Sequence, residues 1–255
     1  MTDDSLSAGE WPEIVRKIRA RTPARVLEGR VGAAYKTSTQ MDLRQAHAAA
    51  RDAVRAELDL ERQFGGDFLR RWGLLEVSTA AKSKDEYLLR PNLGRTFPEA
   101  SRAELAKHCP SNIDLQIAIG DGLSVTAVFA QVPKLLPALC DRAKARGWTL
   151  GQAFVIRHCR VGILNEIGEI FCPTVAVLLI GERPGLATAE SLSAYMAYRP
   201  QHAHTDADRN LISNIHARGV NPEDAVARIL NLAEQMMKAR CSGTRLQGER
   251  QSLPE

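Results

Sequence analysis

The sequence feature that most constrains the fold is a seven-residue run, Thr174 to Ile180, made only of β-branched residues, leucine and alanine. Such an unbroken run predicts a strand that is buried on both faces of a parallel sheet. The residues that follow, Gly181–Gly185, have the glycine and proline content of a loop. Because ligands of parallel sheets bind outside the carboxyl ends of the strands, we predict that this loop forms part of a ligand-binding rim.

The chain after Ser101 alternates between strand and helix patterns. Further strands are predicted at residues 113–119, 154–157 and 193–198, and helices at residues 124–140 and 166–170. This alternation implies a parallel sheet with right-handed crossovers and helices on both faces. The loops expected at its carboxyl edge are Gly120–Ser124, the residues around Arg160–Gly162, and Gly181–Gly185.

The first hundred residues have a helical pattern that is rich in arginine and alanine. A short helix is predicted at residues 13–21 and a longer one at residues 39–63, where apolar residues recur on one stripe. The last helix has the strongest signals, because Asn221 can cap it, Pro222 suits its first turn and Gly243 can end it. We therefore divide the chain into a helical N-terminal region, residues 1–100, and an α/β domain, residues 101–255.

The composition excludes several classes of protein. The 255 residues carry a formal net charge of +4, spread evenly between the first hundred residues and the rest, which does not indicate nucleic-acid binding. No apolar run approaches the ~20 residues that span a bilayer, and the N-terminus lacks a secretory signal. The five cysteines are scattered without a CxxC pair, which favours reduced thiols and a cytoplasmic location.

One basic cluster stands apart from this even distribution of charge. Four of the six residues from Arg16 to Arg21 are basic, and Arg25 and Arg30 follow. The cluster is either a solvated helix face or a surface that docks a partner or an anionic ligand.

The motifs of common cofactor and catalytic sites are absent or incomplete. Gly120-Asp121-Gly122 follows a predicted strand, but Val125 occupies the third glycine position of the dinucleotide fingerprint, which argues against NAD. No Walker-type loop or GxSxG elbow is present. His202 and His204 lie two residues apart, which fits either a metal site or, by default, a flexible polar loop.

Two carboxylates are placed where a ligand would bind. Asp121 and Glu182 each follow a predicted strand. Each could cap a helix or form a loop salt bridge, for example between Glu182 and Arg183. For Glu182, which interrupts a glycine-flanked loop, we favour hydrogen bonds to a ligand. The residues together predict a binding domain without a self-contained catalytic set.

Several segments taken together resemble the small subunit of ethanolamine ammonia-lyase. They occur in this order: Arg90–Arg95, Asp121–Ser124, Arg160–Val161, Glu166–Glu169, Gly181–Leu186, Ser191–Tyr195 and Asp208–His216. The resemblance extends from about Trp11 to Gly243. It implies a Rossmann-like domain in a hetero-oligomeric enzyme that converts ethanolamine to acetaldehyde and ammonia with adenosylcobalamin. The large subunit, a TIM barrel, would hold the substrate, and the corrinoid would lie between the subunits. Residues 1–100 would then contact the partner, and residues 101–255 would form the Rossmann-like domain that contacts cobalamin.

The resemblance also implies which residues contact the cofactor. Val161 and Glu182 match small-subunit positions that contact cobalamin. Leu211 matches a third position, where cysteine occurs in the family, so a leucine could keep an apolar contact but not a thiol contact. We add Arg160, beside Val161, as a partner for corrin amides or phosphate, with a structural role as the alternative.

The resemblance leaves location and function partly open. Family members with a longer N-terminal extension are packaged in a bacterial microcompartment, whereas only ten residues precede Trp11 here. The expected location is the cytoplasm, either free or inside such a compartment. Two other functions stay as alternatives: a non-catalytic binding or scaffold module on the same fold, and a stand-alone nucleotide-dependent enzyme, which the incomplete fingerprint disfavours.

Overall fold

The computed structural model describes residues 12–22 and 24–247, so Trp11, where the resemblance begins, lies outside the described residues. Nine α-helices have both ends within these residues: α1 Glu13–Ala20, α2 Thr37–Arg55, α3 Leu60–Phe64, α4 Gly66–Trp72, α5 Lys84–Leu89, α6 Glu99–His108, α7 Val125–Lys144, α8 Ile163–Phe171 and α9 Pro222–Ala239. Residues 244–247 are also helical. Eight strands accompany them: β1 Arg30–Val31, β2 Ala34–Tyr35, β3 Leu75–Ser78, β4 Leu115–Gly120, β5 Phe154–Arg157, β6 Val175–Gly181, β7 Leu192–Tyr198 and β8 Asn210–Ile215.

Six strands form one sheet in the order β3-β5-β4-β6-β7-β8. The first four are parallel, β7 runs antiparallel to β6, and β8 runs antiparallel to β7. The run that predicted a fully buried strand is β6, in which all seven residues are buried. It lies at the centre of the sheet, so the α/β prediction is confirmed.

Helices cover both faces of the sheet, as expected for strands that are apolar on both sides. On one face α7 and α9 pack on a core that includes Leu115, Leu179 and Met196. On the other face α6 and α8 pack on a second core that includes Phe154, Leu178 and Ile180. Helix α8 contacts β6 on this second face.

The N-terminal hundred residues are mostly helical, with two differences from the prediction. The helix expected at residues 39–63 ends at Arg55, because Ala56 is extended and Asp59 caps a new helix by accepting the Arg62 N–H at 3.1 Å. Strand β3 also lies in this region and pairs in parallel with β5. The sheet therefore begins at residue 75, and the division of the chain at residue 100 stays a prediction.

The other element boundaries follow local signals. Ser124 caps α7 by accepting the Ala127 N–H at 3.2 Å, and Asn221 caps α9 by accepting the Asp224 N–H at 2.9 Å. Helix α9 ends at Ala239 rather than at Gly243, because Arg240 already has a left-handed conformation with φ 55°. Among the helices of the described residues, none has both the length and the apolar character needed to cross a membrane.

Candidate functional site

In the loop after β4, the candidate carboxylate is paired with other groups of the protein. Asp121 is completely buried, and its carboxylate accepts the backbone N–H groups of His158 and Cys159 at 2.9 and 2.8 Å. The ammonium of Lys84, also buried, lies 3.6 Å from the same carboxylate. Of the two roles considered for Asp121, the structure favours the structural one, in which it ties the end of β4 to the end of β5.

The glycines of this loop allow close backbone packing. A Cβ on Gly122, which has φ 57°, would lie 2.2 Å from the carbonyl oxygen of Gly181. A Cβ on Gly120 would lie 2.6 Å from the sulfur of Cys159. Since protein atoms already fill this space, the Gly120–Gly122 turn is a packing junction and offers no cradle for a pyrophosphate.

The loop after β5 carries Arg160 and Val161. The guanidinium of Arg160 stacks on the buried Tyr87 ring, 4.2 Å from its centroid, and its backbone N–H donates to the Gly94 carbonyl at 2.8 Å. These contacts support the structural role considered for Arg160. Val161 is half-buried against the second core and its side chain borders an open groove.

Glu182, directly after β6, joins three strands. Its Oε2 accepts the Ser191 hydroxyl at 2.6 Å, and its Oε1 accepts the Ser193 hydroxyl at 2.5 Å and the Asn214 backbone N–H at 2.8 Å. The sequence suggested a salt bridge to Arg183, whereas these partners lie on or beside β7 and β8. The carboxylate therefore fixes the end of β6 against the two outer strands.

The outer strands present an open face beside α8. Tyr195 of β7 and Leu211 of β8 are cross-strand neighbours, so their side chains lie on the same face. Leu211 is 46% exposed, although it is a leucine in a strand. Burial raises the pKa of the Tyr195 phenol, and the nearby carboxylates of Glu182 and Asp206 raise it further. The phenol is therefore neutral at physiological pH and can donate a hydrogen bond.

A groove of about 750 Å³ lies between α8, Tyr195 and the loop of residues 202–208. Arg160, Val161 and Arg209 are among the residues that line it. Leu211 is not among its lining residues; it is the cross-strand neighbour of Tyr195 and lines a second groove with Asn210 and Arg228. Glu182 bonds to Ser193 of β7 and Asn214 of β8. The structure thus places Arg160 and Val161 together, with Leu211 on the same open surface and Glu182 as a support.

The two histidines lie in the loop that borders this groove. Asn165 of α8 holds the loop by donating to the carbonyls of His202 and His204 at 3.3 and 2.8 Å. The His202 Nδ1 is 3.8 Å from the buried carboxylate of Glu166, which pairs with Arg102. Within residues 12–22 and 24–247, no three His, Cys, Asp or Glu side chains are grouped as metal ligands, so the structure offers no support for a metal site there.

Among the groove residues that were not predicted as site residues are Asn165, Tyr195 and Arg209. Arg209 donates to the Oδ1 of Asn165 at 3.0 Å and pairs with Asp206, which holds the loop against α8. Tyr195 could have been identified from alternation, because every second residue of the predicted strand 193–198 faces the same side. The pairing of Arg209 with Asn165 joins distant segments and has no local sequence signal.

Comparison with known proteins agrees with this arrangement of segments. The family model of the ethanolamine ammonia-lyase light chain (EutC) matches residues 12–247. The ethanolamine ammonia-lyase small subunit of Clostridium perfringens is 39% identical over 231 residues, which cover 91% of this chain and 76% of that protein. That of Clostridium acetobutylicum is 38% identical over 234 residues, which cover 92% of this chain and 94% of the relative. Both findings show that the chain belongs to the ethanolamine ammonia-lyase light-chain family.

Proposed function

We propose that this chain is the small subunit of an adenosylcobalamin-dependent ethanolamine ammonia-lyase, and that it contributes one wall of the cobalamin site at the interface with the large subunit. The observation that carries the proposal is the open face formed by Val161, Tyr195 and Leu211 beside α8. The relatives are small subunits of this lyase, which supports a partner chain.

The residues of this face suit a corrinoid. A corrin ring has a broad apolar surface and carries amide side chains at its edge. Val161 and Leu211 offer apolar contact for the ring, and the neutral Tyr195 phenol offers a hydrogen-bond donor near its edge. Asn165 and Arg209 hold the neighbouring loop in place. This combination of an apolar wall with few polar groups is typical of cofactor sites.

Glu182 would act mainly as a support for this wall. An ionised carboxylate has about four acceptor sites, and the three hydrogen bonds to this chain leave one of them, on Oε2, for a ligand amide. Arg160 is held by Tyr87 and the Gly94 carbonyl, so we expect it to fix Val161 in place rather than to bind the cofactor strongly.

The proposed roles of the cofactor and the two subunits follow from the residues that line the groove. Bound adenosylcobalamin supplies the radical chemistry through homolysis of its cobalt–carbon bond. The residues of this chain bind the corrin, orient it and exclude water from one of its sides. We expect ethanolamine to bind on the large subunit, so this chain alone should not release acetaldehyde or ammonia. Turnover by this chain alone would contradict the proposed division.

The test uses a cysteine at the proposed contact. We would prepare Leu211→Cys in a Cys172→Ser background, since Cys172 is the exposed native thiol. Burial raises the pKa of the Cys109 and Cys140 thiols to about 11, so these should react slowly with a thiol reagent at neutral pH. The thiol at position 211 should be modified in the chain alone and protected in the complex with the large subunit and adenosylcobalamin.

Two controls make this test specific to the cofactor. The same complex without adenosylcobalamin should be protected less, because the large subunit alone leaves the corrin space open. A thiol introduced at Leu89, which is 82% exposed at the end of α5, should stay reactive in both complexes. Equal reactivity of position 211 with and without the cofactor would place the cobalamin elsewhere.

The non-catalytic scaffold module remains the alternative function. It predicts a complex with the large subunit whose ammonia-lyase activity does not depend on this chain. The cytoplasmic location, either free or inside a microcompartment, stays a prediction. A fractionation of cells would decide between the two locations, because an encapsulated complex sediments with the compartment and a free complex stays in the supernatant.

A further inference from the structure

The first described segment of the chain buries almost nothing within the subunit. We call residues 12–22 and 24–36 the N-terminal arm. Helix α1 has no buried residue, and all four residues of the hairpin β1–β2 are exposed. An eight-residue helix and a short two-stranded hairpin are each marginal in water on their own. Burial within this chain therefore offsets little of the entropy lost on ordering the arm.

The arm concentrates exposed apolar side chains. Of the nine large hydrophobic side chains that are exposed in the described residues, five belong to the arm, and Met41 follows it on α2. Ile14 is 64% exposed and Ile18 is 42% exposed, and they lie on one side of α1. Single exposed leucines are ordinary, but a group of this kind marks a surface that another molecule covers.

The arm also carries the positive charge of the chain. Residues 12–36 contain seven Lys and Arg residues against two Asp and Glu residues, a net charge of +5. Since the whole chain has a net charge of +4, all other residues together carry −1. Arg16 and Arg21 are exposed. The arm is thus a basic surface on an otherwise nearly neutral subunit.

The arm lies against the loop that follows β6. The Arg25 guanidinium donates to the Leu186 carbonyl at 2.7 Å, and Arg218 reaches the Thr22 carbonyl at 3.5 Å. Between the arm, α2 and Leu186 lies a groove of about 580 Å³. A partner that covers the end of β6 therefore also reaches the arm and this groove.

We infer that the N-terminal arm is a docking surface for the large subunit, and that it binds a face of that subunit that is acidic and partly apolar. The inference rests on the proposed function, because the partner is the large subunit. A contact between the arms of two copies would bring +5 against +5 and is disfavoured. The isoleucines on α1 favour a protein surface over a small anion, which would need only the arginines.

The first test removes the apolar part of the surface. A titration of the purified large subunit with this chain, without adenosylcobalamin, compares wild type with the double variant Ile14→Ser, Ile18→Ser. We expect the dissociation constant to rise at least about tenfold, since two buried isoleucine contacts are lost. Leu89→Ser, a change of the same kind at an 82% exposed site outside the arm, should change it less than about twofold. Both variants alter exposed side chains, so the fold is kept.

The second test reverses charge. The variant Arg16→Glu, Arg21→Glu should bind the large subunit more weakly than wild type and should lose much of the salt dependence of binding. Arm variants that bind with wild-type affinity would overturn the docking surface.

Two further outcomes would also overturn the inference. One is arm-dependent binding of the wild-type chain to phosphatidylglycerol vesicles, or arm-dependent self-association in sedimentation, while the arm variants keep full affinity for the large subunit. The other is a wild-type chain that does not bind the large subunit at all, which contradicts the proposed function itself. The two are distinguishable, because the latter is seen before any variant is made.

Discussion

The ends of the inner strands and the outer strands of the same sheet differ in how completely their side chains are buried and paired within the chain. At the ends of β4 and β5, Asp121 is completely buried and has three partners in the chain. On β7 and β8, Tyr195 and Leu211 face an open groove or solvent. The sequence did not separate the two regions: Asp121 was a candidate as a strand-end carboxylate, Leu211 was a candidate through the resemblance, and Tyr195 was not predicted. Burial and the number of internal partners distinguish them.

The largest expected effect is at Asp121. Asp121→Ala leaves the Lys84 ammonium buried without its carboxylate, and removal of one partner of a buried pair costs about 3–5 kcal/mol. Urea unfolding of the isolated chain measures this loss. Adding Lys84→Met should recover part of it, because the unpaired charge is removed. A loss below about 1 kcal/mol would contradict the proposed difference between the two regions, since the inner strand ends would then not depend on this carboxylate.

Gly122→Ala should have the next largest effect. The new Cβ would meet the Gly181 carbonyl oxygen at 2.2 Å, and the residue has φ 57°, so the backbone must shift. We expect a loss of about 2–4 kcal/mol in the free energy of unfolding. Gly147→Ala is the matched control, because Gly147 has φ 77° with no atom within 4 Å of its Cβ position. The control should lose only about 1–2 kcal/mol, and equal losses would mean that contact with β6 is unimportant.

Glu182→Ala tests the residue that connects the two regions. The change leaves two hydroxyls and one backbone N–H without their acceptor, at a half-buried position. We expect a cost of about 1–3 kcal/mol in thermal or urea unfolding, and a smaller cost for Glu182→Gln. Unchanged stability of the alanine variant would return Glu182 to a role in ligand binding alone.

The smallest effect on stability is expected at Leu211. Leu211→Ser should change the free energy of unfolding by no more than about 0.5 kcal/mol, because nearly half of the side chain is already in water. The same variant should weaken retention of cobalamin by the assembled complex, seen as loss of the corrin absorbance after gel filtration. A cost above about 1 kcal/mol would show that Leu211 belongs to the core of this subunit.

The sequence predicted the elements whose signals are local. The apolar run of β6 and the Asn221-Pro222 start of α9 both appear where expected. Strand β8 was not predicted, because half of its residues are polar and only Ile215 is buried. Strand β3 was not predicted either, because it has only four residues and depends on its pairing with β5, which lies far along the chain.

The site was predicted less completely than the fold, for the same physical reason. The strand-end loops could be named from the order of elements. Which of them the chain fills depends on contacts between distant segments, such as Asp121 with Cys159 and Gly122 with Gly181. The resemblance to a family supplied Val161, Glu182 and Leu211, and their roles as cofactor contacts stay predictions.

The mixed direction of the sheet has a consequence for how the subunit folds. Strands β6, β7 and β8 are consecutive antiparallel neighbours, so the wall that carries Glu182, Tyr195 and Leu211 is built from contacts close in sequence. The parallel half instead requires residue 75 to meet residue 154. Because local pairings form sooner than distant ones, we expect amide protons of β6–β8 to gain protection earlier in pulse-labelled refolding than those of β3. The surface for the cofactor would then take shape before the opposite edge of the sheet closes.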